Sequence, residues 1–412
     1  MSPSYPIRPI SPSELPQFAR AGEQAFNSNW PAEEFLKLER MVFEPSRSLA
    51  AFDGDELIGS AEIMSFDMTL PGGNTVPTAG VTGVAVLPTY RRRGVLSSLM
   101  RKQLQDIAAG PEPVAALFAS ESAIYGRYGY AVATYRLFYH FNRAEGVVSA
   151  PLDPTRLRIV EPAEGRDRMR SVFDAYRLTR PGMMSRNDGY WDLKLADPEW
   201  IRDGASPQRC VLAEDDSGPR GYSLYSTKPD WGSDGLPNGK LFVNELLGLD
   251  LTATRTLWAD LFSRDLIKEI EVRSRPVDDS LLYLLTEPRR ARPAYRDGLW
   301  IRLVDLPAAL TQRSYSAPVD LVIEVTDDLL PANAGRWRLR SGGFLDKATC
   351  ERATETPDLA LPVSALGAGY LGGTRLGTLA AVGIIAEHRP GAVAELSTAM
   401  WWDPAPWAAT SF

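Results

Sequence analysis

Apolar positions in the first 140 residues switch between two periods. Ile7 to Ile10 reads as a short strand, and Ser11 or Ser13 caps a helical run with apolar Leu15, Phe18, Ala19 and Phe26. Leu49 to Phe52 and Glu56 to Ser65 read as two strands joined by the turn dipeptide Asp53-Gly54. Val81 to Leu87 predicts another strand. Val95, Leu96, Leu99, Met100, Leu104 and Ile107 recur at helical spacing and predict a helix from Val95 to Ala108, with Val114 to Phe118 as the next strand.

The same order recurs after residue 155. Leu157 to Pro162 echoes Ile7 to Pro12, and a helical run follows each. Val211 to Asp215 and Gly221 to Ser226 echo the earlier strand pair. Leu241 to Leu249 and the helical stretch Thr252 to Leu266 echo Val81 to Ala108. The remainder changes texture. Strands are expected at Val319 to Thr326 and Ala334 to Arg340, and short helices at Pro362 to Leu366, Arg375 to Val382 and Gly391 to Met400. The pattern predicts three domains, 1–150, 151–300 and 301–412: a duplicated α/β unit followed by an α+β unit.

Composition narrows the chemistry. Of 412 residues, 44% are hydrophobic and 24% charged, and no apolar run approaches the ~20 residues of a membrane span. The start, Met-Ser-Pro-Ser-Tyr-Pro, has neither a basic nor an apolar leader region, so a cytoplasmic chain is expected. A net charge of −7 argues against nucleic acid as the main partner. Two cysteines, Cys210 and Cys350, and two histidines, His140 and His388, are too few for a disulfide framework or a Cys/His zinc site, and no metal is expected. Catalysis must use tyrosine, carboxylates, backbone groups and a bound cofactor.

The richest segment runs from Val81 to Met100. A strand enters Pro88, a tight loop carries Arg91, Arg92, Arg93 and Gly94, and a helix begins at Val95. A helix N-terminus presents unpaired N–H groups and partial positive charge. Glycine permits close backbone approach, and arginines add charge-assisted hydrogen bonds to phosphate. This combination suits a pyrophosphate.

The run Val84-Ala85-Val86-Leu87-Pro88-Thr89-Tyr90-Arg91-Arg92-Arg93-Gly94 resembles motif A of the GNAT acetyltransferases. Leu96 stands where that pattern carries a small residue. Pro77 to Gly80, Arg91 to Gly94, Pro113 to Glu121 and Ile124-Tyr125-Gly126-Arg127-Tyr128-Gly129-Tyr130 together resemble the Eis-like subgroup, the enhanced intracellular survival proteins of actinobacteria. The resemblance covers the whole chain. It implies tandem GNAT domains followed by a sterol-carrier-protein-like domain, with acetyl-CoA as cosubstrate, a small-molecule amine as acceptor and a homohexamer as assembly. Val84, Ala85 and Val86 are implied to meet the pantetheine arm at a strand bulge. Arg91, Arg92, Arg93, Gly94, Val95, Leu96 and Ser97 are implied to hold the phosphates, with Ser120 and Glu121 completing the cofactor-binding set.

The resemblance also implies the acid and the base. The tyrosine of the Ile-Tyr-Gly run, Tyr125, is the implied general acid, and the terminal carboxylate of Phe412 the implied base. A phenol with a reference pKa near ~10 can protonate a departing thiolate. The second copy lacks an Arg-x-x-Gly loop, reading Gly248-Leu249-Asp250-Leu251-Thr252, and is expected to bind no coenzyme A. Ser411 at the penultimate position, Gly83 where the family has an aromatic residue, and a Phe26 to Trp30 stretch without an acid argue against efficient aminoglycoside acetylation. Glu33, Glu34 and Glu39 are candidates to supply charge. Two alternatives stand beside the enzyme: a non-catalytic coenzyme A sensor and a lipid carrier.

Overall fold

A computed structural model describes residues 5–148, 155–344 and 346–412. Its strands form three sheets. The first is ordered Ile7–Pro9, Leu49–Asp53, Glu56–Thr69, Thr75–Val86, Val114–Phe118, Leu299–Leu303 and Ala131–Val132. The second is ordered Ala294–Asp297, Tyr135–Asn142, Ile267–Pro276, Gly239–Gly248, Gly218–Lys228, Arg209–Asp215 and Arg156–Val160. The third has five strands around Val319–Thr326.

Each of the first two sheets carries a helix behind its long central strand, Val95–Ala108 in one and Leu251–Ser263 in the other. Val95, Leu99, Met100, Leu104 and Ile107 are buried, the stripe that the sequence spacing demands. The strand before Val95 starts earlier than expected, at Thr75 rather than Val81. Pro77 and Gly80 disguise its first half, because both residues disfavour strands. The three C-terminal helices appear at Val363–Gly369, Leu376–Ala381 and Ala392–Met400.

The two large sheets exchange strands. Tyr135–Asn142 leaves the first sheet and pairs with Ile267–Pro276 in the second. Leu299–Leu303 returns to the first, pairing with Val114–Phe118. The chains cross at Thr134 and Gly298, where Gly298 N–H donates to the Thr134 carbonyl at 2.9 Å and Leu299 N–H to Thr134 Oγ1 at 2.7 Å. A β-carbon on Gly298 would lie 2.5 Å from Thr134 Oγ1, so the crossing requires glycine.

Candidate active site

The strands Thr75–Val86 and Val114–Phe118 run parallel and pair only from Thr78↔Val114 to Gly80↔Ala116. Both continue beyond that point, so they splay apart and leave main-chain groups along Val81 to Val86 without this partner. On the other side, the pairing of Thr75–Val86 with Glu56–Thr69 slips between Ser60↔Ala85 and Glu62↔Thr82. The slip is a bulge that bends the strand away from its neighbour. Gly83 sits in it at φ +57°. Val84, Ala85 and Val86 therefore lie on the splayed segment, as expected.

The opening leads to the arginine loop. Gly94 is the N-cap of Val95–Ala108 at φ +85°, and no atom lies within 4 Å of where its β-carbon would be. The N–H groups of the first turn are thus left without a side-chain cap. Arg92 adopts φ +62° two residues earlier, and alternation of this kind forms an anion nest. All three arginines are exposed; Arg91 donates to the Ala25 carbonyl at 3.0 Å and Arg93 lies over the Tyr90 ring. Ser97 Oγ is 3.2 Å from the Tyr128 hydroxyl, tying the helix start to the Tyr125–Tyr130 segment. Ser120 and Glu121 are exposed on the loop leaving Val114–Phe118.

The equivalent place in the second copy is closed. Asp250 caps Leu251–Ser263, its carboxylate accepting from Ala253 N–H at 2.8 Å and from Arg220 at 2.7 and 3.0 Å. An internal carboxylate already occupies that helix N-terminus. The parallel pairing of Gly239–Gly248 with Ile267–Pro276 stops at Val243↔Val272, and the Leu246 carbonyl beyond it accepts from Arg275. Trp407 of the C-terminal tail donates to Ser274 Oγ at 3.1 Å in the same region.

Tyr125 and Phe412 approach the splay from opposite faces. Side chains alternate along a strand, so Ala115 and Leu117 face one way and Ala116 and Phe118 the other. Tyr125 packs in the cluster of Ile63, Val81, Ala115 and Leu117. The Phe412 ring packs with Phe66, centroids 4.9 Å apart, and with Phe118 at 5.4 Å. Burial, then Tyr128 and the charge of Glu121, push the Tyr125 phenol up to about 12, so it stays protonated at neutral pH. Arg302, fully buried, holds this segment by donating to the Tyr128 carbonyl at 2.9 Å and to Asp327 at 2.7 Å. Gly129 at φ +83° makes room, since a β-carbon there would meet Arg302 Nε at 2.7 Å.

The C-terminal tail is held by the second copy. Arg186 donates to Thr410 Oγ1 at 2.9 Å and makes a two-pronged ion pair with Glu245 at 3.0 and 2.6 Å. Tyr190 donates to the Ser411 carbonyl. Arg180 donates to the Ala405 carbonyl and to Asp278, and Asp278 in turn accepts from Ala405 N–H at 2.9 Å. Burial alone would raise the Glu245 carboxyl, but Arg186 and Lys194 overcome it and hold the group at about 2.

Family models agree with this architecture. A model described as an acetyltransferase (GNAT) domain matches residues 6–133, a second acetyltransferase (GNAT) domain model matches 182–303, and a sterol carrier protein domain model matches 306–409. N-acetyltransferase Eis of Mycobacterium tuberculosis is 35% identical over 337 residues, 80% of this chain and 79% of that protein. The chain belongs to the Eis family of N-acetyltransferases. An uncharacterized N-acetyltransferase of Streptomyces avermitilis is 44% identical over 386 residues, 93% of this chain and 94% of that one. Eis1 from Mycobacterium abscessus, a crystal structure, superposes with a TM-score of 0.83 at 32% identity, covering 99% of this chain and 100% of its own. This Eis-family N-acetyltransferase thus consists of two GNAT domains and a sterol carrier-type domain.

Several residues that hold the tail of this acetyltransferase, or lie buried in its first sheet, escape sequence reasoning. Arg186, Tyr190 and Glu245 lie far from any motif and meet the tail only through folding. Glu62 carried one signal, an acid in the middle of the apolar strand Glu56–Thr69. It is 1% exposed, and burial, then the charge of Glu39, raise its carboxyl well above the ordinary range. Burial raises Glu39 as well, whereas Glu33 and Glu34 are exposed. Both cysteines are buried, and burial raises both thiols to about 12. Among the described residues, His140, Glu269 and Glu271 bring ligand-type atoms within 4.8 Å, but Lys240 Nζ already lies 2.8 Å from Glu269. No helix among them is long and apolar enough to cross a membrane.

Proposed function

We propose that this Eis-family enzyme transfers an acetyl group from acetyl-CoA to a primary amine by direct attack, with Tyr125 as general acid and the Phe412 α-carboxylate as general base. The observation that carries the reading is the splay beyond Gly80↔Ala116, which opens toward the uncapped helix N-terminus at Gly94. The fit to acetyl-CoA rests on two features. The unpaired edge from Val81 to Val86 suits an amide-bearing arm, and the Arg92–Gly94 nest with open space at Gly94 suits a pyrophosphate. Val84, Ala85 and Val86 would hold the arm, and Arg91 to Ser97 the phosphates, with Ser120 and Glu121 at the rim. When bound, acetyl-CoA supplies the activated acyl group.

The chain's own groups then manage protons and position. Tyr125 keeps its proton at neutral pH and has it available for the leaving sulfur. The Phe412 carboxylate takes a proton from the amine nitrogen after attack, when that nitrogen is far more acidic than a free ammonium. Phe66, Phe118 and Phe412 form an apolar wall beside the splay. The capped helix at Asp250 supports a second copy without coenzyme A, whose role is to hold the tail. A lipid carrier draws little support, because Leu321, Ile323, Leu339, Leu359, Leu366 and Leu376 fill the interior of the third domain.

Titration with acetyl-CoA and thiol release over an amine panel test the proposal in wild type, Tyr125→Phe and a variant lacking Phe412. The expected result is turnover in wild type and a loss of about 10²-fold or more in kcat for each variant, with acetyl-CoA affinity retained. Equal rates in all three remove the acid and base roles, and binding without turnover in wild type supports the sensor.

A further inference from the structure

A cavity of about 1050 Å³ lies beside the site rather than in it. Its floor is the face of the second sheet bearing Phe138, Phe242 and Arg273, and its roof is Asp188–Leu195 with tail residues Ala408 to Ser411. It begins one residue from Phe412. The Phe118 ring that packs on Phe412 also carries the Arg136 guanidinium, 5.4 Å from its centroid, and Arg136 lines the cavity.

The charge left over in this wall is positive on balance, three arginines against Asp230, whose partner Asn238 is neutral, and Glu271, which shares Lys240 with Glu269. Lys194 is paired with Glu245, Arg202 with Asp197, Lys228 with Asp203 and Lys240 with Glu269. Of the remaining acids, Glu271 lies 3.9 Å from Lys240 and Asp230 accepts from Asn238. Arg136, Arg273 and Arg296 have no carboxylate within 4.0 Å among the described residues. Arg136 donates from Nε to the Asp297 carbonyl at 3.2 Å, which leaves its terminal nitrogens. Each guanidinium lies over an aromatic ring: Arg136 and Arg296 over Phe138 at 5.3 and 4.5 Å, and Arg273 over Phe242 at 5.4 Å. Stacking on a ring uses the flat face of a guanidinium and leaves its N–H edge for a planar oxyanion.

We infer that this cavity is an acceptor subsite for an oxyanion, carboxylate or phosphate, carried by the amine that is acetylated. The inference rests on the transfer reading above and narrows it to amines that bear an acidic group. The oxyanion is held by Arg136, Arg273 and Arg296, and the amine end reaches past Ser411 to the splay.

The test uses the full chain, acetyl-CoA and three amines of matched length: an ω-amino carboxylate, an aminoalkyl phosphate and an unsubstituted alkylamine. Wild type is expected to show kcat/KM at least about tenfold higher for one or both acidic amines than for the alkylamine. Preference for one acid over the other identifies the oxyanion. In Arg136→Gln/Arg273→Gln/Arg296→Gln the ratio collapses through KM, and the corresponding triple lysine variant, which keeps the charge, recovers part of it. Equal kcat/KM for all three amines in wild type, or a ratio that survives the glutamine variant, overturns the inference. Should acetyl-CoA fail to bind, the transfer reading falls separately. The cavity is then judged by calorimetry with the aminoalkyl phosphate: binding to wild type that is lost in the glutamine variant supports it, and no binding to wild type overturns it.

Discussion

Gly80 presents a bare α-carbon to the Phe412 ring: a β-carbon there would lie 3.1 Å from Phe412 Cε2 and 2.5 Å from Phe66 Cε2. This is the last paired residue before the strands splay. A glycine in the first sheet thus leaves the room in which the ring of the last residue rests.

Gly80→Ala tests that relation. The methyl group forces both rings to move, an overpacking cost of about 1–3 kcal/mol. The expected outcome is a fall in kcat with little change in acetyl-CoA affinity, read by steady-state kinetics beside calorimetric titration. Unchanged kcat would mean that the position of Phe412 is irrelevant to turnover.

Gly94→Asp installs in the first copy the capping carboxylate that the second copy carries at Asp250. Like charge at the phosphate turn is expected to weaken acetyl-CoA binding by about tenfold or more. Gly94→Asn, neutral and tolerant of the left-handed conformation, is the control and should lose far less. Equal affinities in the two variants would show that this turn does not hold the phosphates.

The ion pair of Arg186 and Glu245 sets an acid limit on stability. The Glu245 carboxyl is lowered from 4.5 to about 2, so its stabilising contribution is complete above pH 4.5 and is lost as pH falls toward 2. Arg186→Met leaves Glu245 buried without its main partner and is expected to cost about 3–5 kcal/mol in urea unfolding at neutral pH. Adding Glu245→Met to it should restore much of that stability but not activity, because Thr410 still lacks its donor.

Glu62 acts with the opposite sign. Its folded-state pKa is raised, so the native chain binds the proton more tightly than the unfolded one. Stability attributable to this group is full below about pH 4.5 and declines as pH rises through the raised value. Glu62→Gln should flatten that decline and raise the melting temperature near neutral pH. A stability profile with the same slope in both proteins would remove the effect.

Much of the fold is legible in the sequence for local reasons. Apolar spacing marks the helix Val95–Ala108 to the residue, because its buried stripe has one period and its ends are set by Gly94 and by the Gly110-Pro111 break. The arginine loop and its uncapped helix start are legible because they are set by a few consecutive residues, Arg91 to Gly94. The strand from Thr75 to Gly80 is not, because its breakers are tolerated only through packing against neighbouring strands and rings.

The sequence by itself determined the element order, the duplication, the third domain and the arginine turn before Val95, since each is written in short-range pattern. Only tertiary structure decided the exchange of Tyr135–Asn142 and Leu299–Leu303 between sheets, the hold of Arg186 on the tail, and the arginine wall beside Ser411. These join residues more than a hundred positions apart. Their energies arise from burial and charge pairing that exist only once the chain has closed on itself.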